Sequence, residues 1–161
     1  WMRADTNMAG YLHLPDLTAE VLRDGWLSTN DLGKLDDEGY LYLTDRKNYL
    51  IITGAANVFP SVIETALSEH PAVREAAALG APHPEWGEAV VAAVALRSGQ
   101  SATAEELIDF CRDKVAKWEV PKFIEIVDEL PKGPTGKVLK KDLQQRYRSE
   151  QNPLPWSVEL D

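Results

Sequence analysis

The sequence predicts an α+β fold in which a small central three-stranded sheet is flanked by helices and a β-hairpin comes first. Between residues 61 and 147, segments of helical and strand periodicity follow one another in the order helix, strand, strand, helix, strand, helix. Before residue 45 the chain instead has turns and short strands. With 161 residues and 44% hydrophobic content, the chain can bury a packed core.

The first 47 residues are rich in turns. Residues 16–22 predict about two helical turns, and residues 25–29 a short strand. Residues 33–43 are typical of a β-hairpin, with Gly39 at the end of its turn because glycine adopts positive φ without strain. Such a hairpin is too small to be stable alone, so we expect it to join a sheet formed by residues upstream.

A charged joint follows at residues 45–47. It leads into a short β-branched strand at 50–53, which Gly54 interrupts, and residues 58–60 then lead into a helix. A polar joint followed by a new strand and a helix start is typical of a boundary between folding units. The sequence therefore predicts a domain boundary here that acts as a hinge.

The second part of the chain carries the predicted sheet. Two helix starts fit capping boxes, at Ser61 with Glu64 and at Thr103 with Glu106. Strands are expected at residues 73–79, 89–96 and 123–127. The continuous Ala/Val character of the middle strand predicts burial on both faces. Loops are expected at residues 81–87 and 131–137, a basic helix near 139–147, and a tail at 149–161.

Composition excludes several classes of function. A net charge of −9 argues against a nucleic-acid-binding surface. Cys111 is the only cysteine, and the three histidines are far apart, so no disulfide framework or metal site is predicted and a reducing, cytoplasmic setting is expected. No apolar run reaches membrane-spanning length and no signal peptide is evident. Because Trp1 is not a start residue, we expect the chain to begin in mid-protein.

One position before the joint, one within it and one after it are candidates for nucleotide or ligand contacts. The Asp31 carboxylate can accept hydrogen bonds from a ribose diol, or it can simply cap a turn. Arg46 can bind phosphate or carboxylate in a bidentate way, or form an ordinary surface ion pair. Gly54 allows close backbone approach to a ligand, or serves only a tight turn.

The loop at residues 131–137 is a further candidate. Two glycines and two prolines make it extended, and Lys137 at its end can bring a positive charge to a phosphate. It is not a phosphate-binding P-loop, because its glycines are three residues apart and Val138 follows the lysine. The alternative is an ordinary loop leading into a basic helix.

Three ordered motifs together resemble the C-terminal part of acyl-CoA synthetases, members of the AMP-forming adenylating enzyme superfamily. They are GWLSTNDLG at residues 25–33, DRKNYLIITGAANVFP with Glu64 at residues 45–64, and VPKF with LPKGPTGKV at residues 120–138. The resemblance covers residues 10–147. It implies that residues 1–47 are the terminal β-rich fragment of a large adenylate-forming domain, most of which is missing here, and that residues 48–148 are a mobile C-terminal domain.

The resemblance also implies a reaction. A carboxylic acid and ATP, with Mg²⁺ expected in the intact enzyme, give an acyl-adenylate, and the thiol of CoA then displaces AMP. Lys137 is implied as the catalytic lysine that bridges the substrate carboxylate and the α-phosphate. Asp31 is implied to hold the ribose hydroxyls, with Arg46 beside the ATP or AMP.

The resemblance also implies residues for the movement of the small domain and for contact with CoA, the acyl acceptor. Asn48 corresponds to the hinge about which the small domain swings, and Gly54 with Ala55 to the loop that meets the pantetheine arm of CoA. Four residues depart from the family pattern: Asn30 and Ala55 stand where glycine is usual, Asn48 where Asp or Lys is common, and Ala56 where Glu is common. Two alternatives remain: a stand-alone docking module without catalysis, and an adenylating enzyme that loads a carrier-protein thiol.

Overall fold

The computed structural model describes residues 1–148 and 154–156. The chain divides into two compact units, Trp1–Asn48 and Tyr49–Asp161. None of the helices formed by the described residues has the length and apolar character that a membrane crossing requires. The expected tail at 149–161 lies outside the described residues, except for 154–156.

The first unit consists of short strands, one short helix and a hairpin. Its elements are β1 (Met2–Arg3), α1 (Pro15–Val21), β2 (Leu22–Arg23), β3 (Trp26–Leu27), β4 (Asp31–Leu35) and β5 (Leu41–Arg46). Strands β1, β3 and β2 form an antiparallel sheet in that order, and β4 pairs with β5. The predicted hairpin is confirmed. Its turn is closed by the Asp36 carboxylate, and the hydrogen bond from the Tyr40 N–H, 2.8 Å, holds the pKa of Asp36 below its ordinary value.

The second unit carries the larger sheet and three helices. Its strands are β6 (Ile51–Thr53), β7 (Ala56–Val58), β8 (Val73–His83), β9 (Gly87–Leu96) and β10 (Phe123–Val127). Its helices are α2 (Pro60–Ser68), α3 (Ala104–Arg112) and α4 (Lys140–Arg148), and a 3₁₀ turn, Lys47–Tyr49, precedes β6.

Strand β9 is the centre of this sheet. One of its edges pairs antiparallel with β8 along its whole length, from Val73↔Leu96 to His83↔Gly87. The other edge takes two partners: β6 antiparallel at Thr53↔Gly87, and β10 parallel from Phe123↔Val91 onward. The three expected strands are present, but the sheet has five because the hairpin of β6 and β7 joins it. Gly54 does not lead directly towards a helix. It lies in a hairpin turn, after which the chain runs antiparallel to β6 as β7.

The prediction of a loop at residues 81–87 is wrong for residues 81–83 and 87, which lie in strands. Strand β8 continues to His83, and only residues 84–86 form the turn before β9. The prolines of this segment suggested a loop, but Pro82 pairs with Glu88 within the ladder. Proline is tolerated there because the outer edge of β8 has no strand partner among the described residues.

Both faces of the sheet are covered, as the composition of residues 89–96 predicted. Residues 89–95 are all fully or almost fully buried, and alternate side chains enter two separate clusters. Val90, Ala92 and Val94 pack with residues of α2 and α3, including Leu67 and Leu107. The opposite cluster contains Val91, Ala93, Leu130, Leu143, Tyr147 and Leu154. The sheet is therefore the rigid support for the loops at its ends.

One of the two predicted capping boxes is confirmed and the other is wrong. The Thr103 side chain accepts a hydrogen bond from the Glu106 N–H, and the Glu106 carboxylate accepts one from the Thr103 N–H. Helix α2 instead begins after Phe59, with Pro60 in its first turn and no side-chain cap. That start places Glu64 too far along the helix to cap it.

Candidate functional site

The nucleotide candidates lie at the open end of the β4–β5 hairpin. Asp31 and Arg46 are direct cross-strand partners, and Arg46 Nε lies 3.1 Å from Asp31 Oδ1. The Arg46 side chain is 58% exposed, so it remains accessible to a ligand. The backbone N–H of Asp31 donates to Thr29 Oγ1 at 3.2 Å. The structure therefore brings these two predicted residues together.

Asn30 explains one departure from the family pattern. Its φ is +58°, in the left-handed region that favours glycine, where asparagine is the side chain most often tolerated. Its carbonyl accepts a hydrogen bond from the Lys47 N–H at 2.8 Å. Asn30 thus occupies a left-handed backbone conformation that glycine also adopts readily, directly before Asp31.

Gly54 and Ala55 form the two-residue turn between β6 and β7. Gly54 has a φ of +58°, as the first central residue of a type II′ hairpin turn requires, and both residues are exposed. A Cβ atom at Gly54 would meet nothing within 4 Å, so its Cα faces open space. The Gly54 N–H donates to the Trp86 carbonyl at 2.8 Å, which fixes this turn beside the β8–β9 turn.

A groove of about 270 Å³ opens where these turns meet. It is lined by Thr53, Gly54, Trp86, Lys117, Trp118 and Lys122. The edge of β9 explains this convergence, because β6 pairs there at Gly87 and the Lys122 N–H donates to the Val90 carbonyl at 2.8 Å. The groove thus occupies the space between β6 and the start of β10.

The side chains of the groove combine aromatic faces with positive charges. Trp118 is 58% exposed and Trp86 is 37% exposed. Lys122 Nζ lies 5.1 Å from the centre of the Trp86 ring, within the range of a cation–π contact. Two indole faces can stack a planar base, and two ammonium groups can pair with phosphate.

Lys137 lies in a loop whose backbone is closed by hydrogen bonds. The Gly133 N–H donates to the Lys137 carbonyl and the Gly136 N–H to the Gly133 carbonyl, each at 2.9 Å. Lys132 and Val138 form an isolated β-bridge across the loop. None of the ion pairs in the described part of the chain includes Lys137, whose side chain is exposed. A fixed backbone therefore presents an uncommitted ammonium group.

Comparison with known proteins shows which proteins this chain is similar to. Residues 62–137 match the model of the AMP-binding enzyme C-terminal domain. Residues 62–137 belong to the AMP-binding enzyme C-terminal domain family. The sequence resemblance to acyl-CoA synthetases is thereby confirmed, and this chain corresponds to the C-terminal part of such proteins.

Two curated ligases illustrate the relationship. A 2-succinylbenzoate–CoA ligase of Geobacillus sp. (strain WCH70) is 43% identical over 143 residues, which cover 89% of this chain and 29% of that protein. A long-chain-fatty-acid–CoA ligase of Bacillus subtilis (strain 168) is 46% identical over 136 residues, with coverages of 84% and 24%. The chain thus spans less than a third of the length of these relatives.

Solved structures give the same relationship. An amide bond synthetase from Marinactinospora thermotolerans has a TM-score of 0.83 and 41% identity, covering 91% of this chain and 30% of that one. The o-succinylbenzoate CoA synthetase of Bacillus subtilis, in complex with the acyl-adenylate OSB-AMP, has a TM-score of 0.82 and 35% identity, covering 92% and 30%. The α+β fold predicted for the chain is confirmed.

Sequence reasoning missed part of this groove. Trp86 was placed only within the expected loop at 81–87, and Lys117 and Trp118 were not singled out at all. A tryptophan between charged residues, in the connection between α3 and β10, was a local signal for exposure. These residues lie near Gly54 only because β6 and β10 pair with the same edge of β9, and no local sequence pattern predicts that pairing. Lys137 is not among the residues that line the groove.

Proposed function

We propose that this chain is the C-terminal part of an AMP-forming acid–thiol ligase that transfers an acyl group to CoA. In the first step a carboxylate oxygen attacks the α-phosphorus of ATP and pyrophosphate leaves. In the second step the CoA sulfur attacks the acyl carbon, and the bond to AMP breaks. The groove between Gly54 and the two tryptophans is the observation that carries this proposal.

The groove fits CoA better than a carrier-protein thiol. CoA ends in an adenine nucleotide with several phosphates, whereas a carrier-protein arm has no base to stack. Trp86 and Trp118 offer faces for the base, and Lys117 and Lys122 offer charges for the phosphates. The open Cα side of Gly54 leaves room for a narrow chain such as pantetheine. Ala55 adds one exposed methyl group at the next position of the turn.

Asp31 and Arg46 fit a nucleotide in a similar way. The ion pair engages Oδ1 of Asp31, and the carboxylate retains acceptor capacity for ribose hydroxyls. The exposed guanidinium of Arg46 retains donors for a phosphate. In the described residues no group of three or more His, Cys, Asp or Glu side chains could hold a metal ion. The described part of the chain therefore supplies no ligand set of its own for Mg²⁺.

Lys137 is the proposed catalytic residue of the first step. Negative charge builds on the phosphate oxygens as pyrophosphate leaves, and a positioned ammonium group stabilises that charge. The hydrogen bonds that close the loop hold the Lys137 backbone in place, so little ordering is needed when substrate binds. Lys137 does not line the acceptor groove. We therefore infer that the second unit rotates about Asn48, so that Lys137 faces the reacting groups in the first step and the groove faces them in the second.

The upstream domain of such a ligase is the expected partner of the hairpin. Leu35, Leu41 and Leu43 are each more than 60% exposed on β4 and β5. An apolar patch of this kind marks a surface that another element covers. We expect the 161-residue chain alone to show no acid-dependent ATP–pyrophosphate exchange, since the acyl pocket belongs to that domain. Exchange by the purified chain would contradict this expectation.

The acceptor assay tests the proposal on the full-length ligase. Preformed acyl-adenylate is supplied with CoA, a carrier-protein thiol or an amine, the last because one solved relative is an amide bond synthetase. CoA is expected to be the acceptor. Trp86→Ala and Lys122→Ala should each raise KM for CoA about tenfold while pyrophosphate exchange is unchanged. Lys141→Ala, an exposed lysine outside the groove, is the control. Preference for another acceptor, or an unchanged KM in both groove variants, would overturn the assignment.

A further inference from the structure

Residues 154–156 of the C-terminal segment return to the turn between β8 and β9. Leu154 is only 3% exposed and packs in the cluster with Leu143 and Tyr147. Two residues later, the Trp156 indole N–H donates a hydrogen bond to the Pro82 carbonyl at 2.8 Å. A buried anchor and a directed hydrogen bond thus hold Trp156 against the end of β8.

Trp156 contacts the imidazole that supports the groove wall. The His83 and Trp86 rings are stacked, with centroids 4.2 Å apart and an interplanar angle of 4°. The Trp156 ring lies 5.2 Å from the His83 ring at 49°. His83 Nδ1 also accepts the Glu85 N–H at 3.2 Å, which ties the imidazole to the turn that carries Trp86. Trp156, His83 and Trp86 therefore form a continuous stack that ends in the groove.

This stack has a direct consequence for ligand binding. Trp86 belongs to a three-residue turn and keeps 37% of its surface exposed, so a free indole there would sample several rotamers. Fixing those rotamers when a ligand binds would weaken the affinity. Contact with His83 restricts the indole beforehand, and Trp156 in turn restricts His83.

We propose that His83 and Trp156 are positioning residues that hold Trp86 ready to stack the base of CoA, as the Lys122 ammonium moves from the Trp86 ring to the phosphates. This inference rests on the proposed acceptor groove and extends it to the C-terminal segment, which lies outside the matched domain at 62–137. Neither residue lines the groove, so both act through Trp86. Their contribution concerns the nucleotide part of CoA and not its thiol.

The test is carried out on the full-length ligase with two acceptors, CoA and pantetheine, which lacks the nucleotide. Trp156→Leu should raise KM for CoA about three- to tenfold, the range expected from the loss of one aromatic contact. KM for pantetheine, kcat at saturating CoA and ATP–pyrophosphate exchange should not change. Trp156→Phe retains a ring against His83 but loses the bond to Pro82, and an intermediate KM is expected.

His83→Ala and His70→Ala form a matched pair. Each histidine Nδ1 accepts a backbone N–H two residues later at 3.2 Å, and each ring contacts an aromatic side chain, but His70 contacts Phe110 instead of Trp86. Only His83→Ala should raise KM for CoA. If Trp86→Ala raises that KM and the His83 and Trp156 variants do not, the stack has no positioning role although the groove stands. If Trp86→Ala has no effect, the groove assignment itself fails and the inference with it.

Discussion

Lys140 Nζ lies 2.6 Å from Glu64 Oε1 in an ion pair whose lysine side chain is only 13% exposed. The same carboxylate oxygen accepts a hydrogen bond from the Ala78 N–H at 2.9 Å, on the outer edge of β8. The Lys140 ammonium also lies 5.1 Å from the centre of the Tyr49 ring. One carboxylate therefore connects α2, the sheet edge and the start of α4, and the lysine connects them to the first residue of the second unit.

Glu64→Ala is expected to destabilise the second unit by about 1–3 kcal/mol, because it leaves the Ala78 N–H and a largely buried ammonium without their partner. Urea denaturation of the 161-residue chain, followed by circular dichroism, measures the loss. Glu69→Ala is the matched control, since Glu69 pairs with Lys114 while 55% exposed. Loss of such an exposed pair should cost less than about 1 kcal/mol. Equal losses in the two variants would contradict the structural role of Glu64.

Lys137→Ala should separate the two proposed half-reactions of the full-length protein. Acid-dependent ATP–pyrophosphate exchange is expected to fall about 10²–10³-fold, the usual loss when one positioned charge-stabilising donor is removed. Thioester formation from preformed acyl-adenylate should stay largely intact, since Lys137 does not line the acceptor groove. Lys141→Ala, four residues along the same basic segment, should leave both activities unchanged. Equal loss of both half-reactions would show that the role of Lys137 is misassigned.

Gly54→Ala should impair thioester formation and spare adenylation. The substitution forces alanine into a φ of +58° and places a methyl group on the open side of the turn. Gly99→Ala is the control, because Gly99 also has a positive φ, +74°, with nothing within 4 Å of its Cβ position. Both variants should lose about 1–2 kcal/mol of stability, measured by urea denaturation. Only the Gly54 variant should raise KM for CoA, and a similar rise in the Gly99 variant would refute the pantetheine contact.

The fold could be predicted where local patterns suffice. The buried strand at 89–96 was predicted correctly because its continuous Ala/Val run leaves only burial on both faces. The capping box of Thr103 and Glu106 was predicted because both partners lie within one turn. By contrast, Glu64 was misread: with Phe59 as the N-cap, it lies five positions inside the helix, and its partners are distant in sequence.

The same distinction between local patterns and contacts of distant segments applies to the candidate site. Lys137, Asp31 and Arg46 could be proposed from the sequence because each stands in a motif that can be recognised locally. The hairpin of β6 and β7 was missed because Gly54 alone does not reveal whether a strand ends or turns back. The groove was missed because Trp86 and Trp118 come together only through the pairing of β6 and β10 with the same edge of β9. Contacts between distant segments are what sequence periodicity cannot supply.

The thiol of Cys111 should be unreactive in the folded chain. Cys111 is fully buried on α3, and burial raises its pKa to about 11, so thiolate is scarce at pH 8. Iodoacetamide should therefore label Cys111 only after denaturation in guanidinium, as measured by mass spectrometry. Rapid labelling of the native chain at pH 8 would contradict the burial of this side chain.

The raised pKa of Cys111 also predicts how the free energy of unfolding changes at alkaline pH. The unfolded thiol ionises near pH 9, whereas the folded thiol holds its proton up to a pKa of about 11. Between these values the unfolded state binds fewer protons, so the free energy of unfolding falls as pH rises, by up to roughly 1.4 kcal/mol per pH unit. Below pH 9 this contribution is fully present. Cys111→Ala removes the ionisable group, and its urea midpoint should fall less steeply between pH 9 and pH 11 than that of the unmodified chain.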